Sequence, residues 1–135
     1  MDKASQKLHI CKTPGTVQAL DDLLHTPQFE FLSKHPEDFV MGIAHTRWPT
    51  MGLPTEANTH PFISNDGKWS VVCNGIIENS TELTNYLKSL GYTFQSDNDV
   101  EVLAALLQHL SKTHADSLST FVAMLSTIVG LYISL

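Results

Sequence analysis

At 135 residues, with a formal charge of -6 and no basic cluster, the chain has the size of one domain able to bury its own core. That balance argues against a nucleic-acid or anionic-membrane surface. With no apolar run of about eighteen residues and no charged-then-apolar leader, a soluble protein in the cytoplasm is expected.

Met1 to Gln6 are polar and read as a frayed end. Leu8 to Cys11 alternates and predicts a short strand, stopped by Thr13-Pro14-Gly15. Thr16 is placed to cap a helix running to Leu24, with Val17, Leu20, Leu23 and Leu24 on one side. Between Leu24 and Phe39, Pro27, Pro36 and scattered polar residues predict a loop with a helical turn at Phe29 to Lys34 and with His25 and His35 in solvent. Val40 to His45 predicts a strand that delivers a polar loop carrying Arg47, Trp48 and Thr50, with Pro49 restricting Trp48 to an extended backbone. Asn65-Asp66-Gly67 is a turn signal ahead of a second strand, Trp69 to Cys73, which runs into Asn74-Gly75.

The C-terminal half is more helical. Asn79 and Glu82 have the spacing of a capping box for a helix that buries Leu83, Tyr86, Leu87 and Leu90 and stops at Gly91. Tyr92 to Gln95 alternates as a strand, and Asn98 with Glu101 repeats the capping pattern ahead of Val102, Leu103, Leu106, Leu107 and Leu110. A third helix places Leu118, Phe121, Val122 and Leu125 on its buried side, Gly130 breaks it, and Leu131 to Leu135 reads as a strand. Strands alternating with helices give an α+β fold class.

The chemistry gathers at the strand ends, where a rigid scaffold commonly presents binding residues. Arg47 offers a planar fork of donors that matches a carboxylate, which Lys cannot reproduce. Asn74 has a side-chain donor, and Gly75, without a Cβ, lets its backbone N–H approach a reacting centre. The same Asn-Gly pair equally reads as a tight hairpin turn. Asp99 in the first turn of a helix is favourable through the helix dipole alone.

Gly42 to Trp48, Asn58-Thr-His-Pro61, Asn74 to Asn79 and Gly91 to Glu101 together resemble the class II glutamine amidotransferase domain of glutamine–fructose-6-phosphate aminotransferases. The likeness runs from about Lys7 to the last residue and is strongest between Gly42 and Glu101. It implies an N-terminal-nucleophile-hydrolase-like αββα sandwich, incomplete here, with residues 1–135 forming a partial domain whose opening nucleophile strand and closing strands are missing. It further implies that Arg47 holds the α-carboxylate of glutamine, that Trp48 and Thr50 line the pocket, that Asn74 and Gly75 form the oxyanion hole and that Asp99 pairs with the α-amino group. In that family the attacking group is an N-terminal cysteine whose own amine is its base. Met51 and Cys73 stand where the family has His, and Pro49 where it more often has Ala.

No residue here matches that nucleophile. Cys11 and Cys73 read as small buried hydrophobes, and His45, His60 and Cys73 match no compact metal-ligand spacing, so neither a metal nor another cofactor is expected. Two readings of function follow. One is the glutamine-binding part of an enzyme making glucosamine 6-phosphate from fructose 6-phosphate and glutamine, inactive alone, with a sugar-isomerase domain or the missing N-terminal part on another chain as partner. The other is a non-catalytic amino-acid-binding or interaction module derived from that domain. Either way, unpaired strands predict self-association.

Overall fold

A computed structural model describes residues 1–47 and 53–134, with the side chains of 131–134 left aside. The described elements are helices α1 (Val17–Leu24), α2 (Glu30–Lys34), α3 (Ser80–Ser89), α4 (Glu101–Leu110) and α5 (Ser117–Thr127), a 3₁₀ turn at Pro36–Asp38, and strands β1 (Phe62–Ile63), β2 (Ser70–Val71), β3 (Cys73–Ile77) and β4 (Gly130–Ser134). β1 and β2 form one antiparallel pair, and β3 and β4 another, in which Asn74 faces Ile133 and Gly75 faces Tyr132. The class is α+β.

Helix α4 is the centre of the core. Val102 to Leu107 are all buried, so it is apolar around most of its circumference, with α3, α5, β1 and β2 packed on it. The capping box expected at its start does not form: Val100 is the N-cap and has no side-chain cap bond, and the Asn98 side chain accepts instead from the N–H of Val100 at 2.9 Å. Glu101 reaches past Asn98 to the N–H groups of Gln95 and Ser96, both at 2.8 Å. Thr16 caps α1 through the N–H of Ala19 at 3.2 Å, as its position predicts. Replacing Thr16 by Ala should cost about 1 kcal/mol locally, seen as lost amide protection over α1 with α4 unchanged. Gly91 ends α3 with φ +91°, and Ser64 to Trp69 closes the predicted turn, with Gly67 at φ +71°.

Several expectations are corrected. Val40 to His45, Leu8 to Cys11 and Tyr92 to Gln95 are not assigned as strands. A strand exists only through its ladder, and among the described residues the first stretch keeps a single bridge nearby, Asp2 to Phe39. The predicted strand at Trp69 to Cys73 is split into β2 and β3, and β1, too short to show alternation, was not foreseen. Asn74-Gly75 lies inside β3 and is paired across it, so it is not a hairpin turn. Asn79 does not close a capping box; its amide instead donates to the carbonyl of Thr127 and accepts from the N–H of Val129, tying α3 to the end of α5. Tyr86 and Leu90 are about half exposed, and α5 buries Thr120 and Met124 while Leu118 and Val122 face outward. Phe121 and Leu125 do pack on the core. Gly130 opens β4 instead of breaking a helix, and Leu135 lies outside the described residues.

Candidate functional site

The sheet and the start of α4 meet at a hollow of about 140 Å³. This is on the scale of the roughly 150 Å³ that accommodates a benzene-sized guest. Arg47, Asn74, Gly75 and Asp99 all line it, joined by His45, His60, Cys73 and Asn98. Trp48 and Thr50 lie outside the described residues. A larger groove of about 650 Å³, between Lys12, Phe62 and Gln95, contains none of the four.

Asp99 is brought to the hollow by the turn that starts α4. It is buried, and its Oδ2 accepts from the N–H of Ile77 at 2.7 Å. Along a strand, successive N–H groups point to opposite edges, so those of Gly75 and Ile77 share an edge. On the other edge, the N–H of Glu78 bonds to Val129 beside β4. Gly75 therefore directs its backbone N–H to the edge on which Asp99 sits, with the exposed Asn74 beside it.

Asn58 braces this arrangement. Its side chain donates to the carbonyl of Leu53 at 3.0 Å and accepts from the N–H of Asp97 at 2.9 Å, while Asn98 donates to its backbone carbonyl at 3.4 Å. Its buried amide satisfies backbone groups that would otherwise be stranded, a structural role.

The electrostatics separate the cysteines from the chemistry. Burial, with the neighbouring Asp99 carboxylate second, pushes the Cys73 thiol up to about 11, so it stays protonated at neutral pH. Cys11 is half-buried, its thiol also raised by burial, and it does not line the hollow. His60 is held down to about 4, by burial first and then by the nearby His45, Arg47 and Lys12. Sequence reading did not assign His45, His60 or Asn98 to the site. The signal available was the pair of histidines flanking the Arg47 loop, visible in spacing only once the chain is folded. Convergent metal-type ligands among the described residues occur at His35, Glu37 and Asp38, all exposed, and not at His45, His60 and Cys73.

Comparison with known proteins shows the family. The sequence profile of the glutamine amidotransferase domain matches residues 45–132. The glutamine–fructose-6-phosphate aminotransferase of Idiomarina loihiensis is 41% identical over 129 residues, which is 96% of this chain and 20% of that protein. That of Corynebacterium glutamicum is 43% identical over 114 residues, 84% of this chain and 17% of that protein. The chain thus spans about a fifth of the length of these relatives. Among solved structures, the glutamine phosphoribosylpyrophosphate amidotransferase of B. subtilis superposes with a TM-score of 0.55 at 30% identity, over 67% of this chain and 19% of that one. An allosteric regulatory enzyme of purine biosynthesis gives 0.51, also at 30% identity, over 58% of this chain and 17% of that one. With its profile matched over more than half the chain, the protein belongs to the glutamine amidotransferase domain family.

Proposed function

We propose that the hollow binds glutamine, as the glutamine-handling part of an amidotransferase that makes glucosamine 6-phosphate from fructose 6-phosphate. Arg47 grips the α-carboxylate, Asp99 pairs with the α-ammonium, and Asn74 with the Gly75 N–H donates to the side-chain carbonyl as charge develops on it. The observation that carries this reading is that Arg47, Asn74, Gly75 and Asp99, from three separated stretches, line one small hollow. Their charges also match those an amino acid carries, with a cation for its α-carboxylate and an anion for its α-ammonium.

The whole fold is then an αββα sandwich of which these residues form one part, and the sugar-handling half lies outside them. A protonated thiol at Cys73, with Cys11 away from the hollow, supports a second reading alongside the first. Covalent attack on the amide carbon needs a thiolate these two cysteines do not supply, so these 135 residues act as an amino-acid-binding module until a cysteine from elsewhere joins them.

Titration calorimetry with glutamine, run beside a glutaminase assay, tests both. Binding without ammonia release is the expected outcome, and heat-silent titration would sink the glutamine reading. Arg47→Lys should weaken binding about tenfold, because a point charge replaces a two-pronged donor; an unchanged dissociation constant would remove Arg47 as the carboxylate anchor.

A further inference from the structure

His45 and His60 meet at the rim of the hollow with their Nδ1 atoms 3.0 Å apart and ring centroids 4.5 Å apart. At that distance one Nδ1 carries a proton and the other does not, since two lone pairs or two N–H groups would repel. His60 is buried, packs edge-on against Phe62 at 5.1 Å, and its Nε2 finds no hydrogen-bond partner. Its ring is therefore held by packing and by the bond to His45. His45 in turn sits two residues before Arg47 on a stretch, residues 41–47, with no helix or strand of its own.

The surroundings resist a second proton. The charged groups acting on His60 are cations: His45 and Arg47 from the irregular stretch, and Lys12, whose Nζ donates to the carbonyls of Thr59 and Pro61 on either side of it. Asp99, on the same hollow, has one oxygen committed to Ile77, and Cys73 beside it is a neutral thiol. Asn98 is the neighbour that favours a charged His60, and its influence is the smallest.

We propose that one proton shared between His45 and His60 is a clasp that positions the Arg47 segment against the hollow, and that a second proton opens it. Burial and the adjacent Arg47 lower His45 as well, so the clasp is closed near neutral pH and opens in acid. Only the ligand arm of the test rests on the glutamine reading; the clasp itself is read without ligand.

Nitrogen NMR of the histidine rings in the full chain, from about pH 7 to about pH 4, reads the proton directly. Expected are one protonated and one bare Nδ1 at neutral pH, then joint protonation with amide protection falling about tenfold over residues 43–47 while α4 stays protected. Like states at both Nδ1 atoms at neutral pH would overturn the proposal. His45→Asn keeps a donor and an acceptor within reach of His60 but takes up no proton. It should retain neutral-pH protection and lose the acid opening, and an acid curve equal to that of the native chain would overturn the proposal. Should His45→Asn fold poorly, the native ring titration decides alone. In parallel, glutamine affinity by calorimetry should fall about tenfold between about pH 7 and about pH 4. Binding at every pH while residues 43–47 open would overturn the positioning role. No binding at any pH, with the rings behaving as expected, would sink the glutamine reading and leave the clasp standing.

Discussion

Replacing Gly130 by Ala is expected to remove at least about 3 kcal/mol of stability, a large fraction of the margin of a typical domain. Gly130 opens β4 at φ +146°, a region that L-residues rarely occupy, and its pairing partner is Ile77. A methyl group there would lie 2.1 Å from the carbonyl oxygen of Ile76 and 3.2 Å from the nitrogen of Glu78. Both are backbone atoms of the β3 ladder or its end, so no side-chain rotation relieves the clash. Relief requires β3 and β4 to separate, and β3 carries Asn74, Gly75 and the N–H that Asp99 accepts. The variant should lose the hollow together with its stability. Urea denaturation measures the effect, with Gly67→Ala as control: Gly67 also has positive φ, but its added Cβ meets nothing within 4 Å. The control should lose only about 1–2 kcal/mol, the cost of a left-handed Ala by itself. Equal losses for the two variants would show that backbone conformation, and not the crossing at Ile76, sets the requirement.

The same residue shows what sequence could and could not carry. Gly130 was legible as a break between a helix and a strand, yet whether a Gly ends a helix or admits a close approach depends on a neighbour 54 positions earlier, at Ile76. Local chemistry read well where both partners are local: Thr16 with Ala19, the turn at Ser64 to Trp69. It failed at Asn79, whose amide found partners some fifty residues away at Thr127 and Val129 and abandoned the capping box. The strands failed for the same reason, since alternation marks a face but not a hydrogen-bonded edge, and Leu8 to Cys11 alternates without being assigned a ladder. On α5 the apolar stripe was misphased because Thr120 is buried: its hydroxyl donates to the carbonyl of Asp116 at 2.8 Å, so a polar residue takes a core position. The lining of the hollow was more legible than the fold around it, because Arg47, Asn74, Gly75 and Asp99 are marked by their chemistry and by resemblance. Their convergence needed the hydrogen bonds that Asn58 and Asp99 make across the chain.

Asp99 has two jobs that substitution can separate. As an acceptor it satisfies the buried N–H of Ile77; as an anion it faces the hollow as the proposed partner of the α-ammonium. Asp99→Asn keeps an oxygen for Ile77 and removes the charge, so it should fold with near-native stability and weaken glutamine binding by about ten- to a hundredfold, the range of a charge-assisted hydrogen bond. Asp99→Ala strands the Ile77 N–H and should lose about 1–3 kcal/mol of stability besides the binding. A third readout follows from Cys73, whose thiol Asp99 helps to raise. In Asp99→Asn the thiol should ionise at lower pH, though still well above neutrality, because burial is the larger cause. Thiol alkylation rate against pH measures that shift without any ligand. If Asp99→Asn bound glutamine as the native chain does while the Cys73 titration moved, the carboxylate would face the hollow electrostatically without holding the substrate. The α-ammonium would then need another partner.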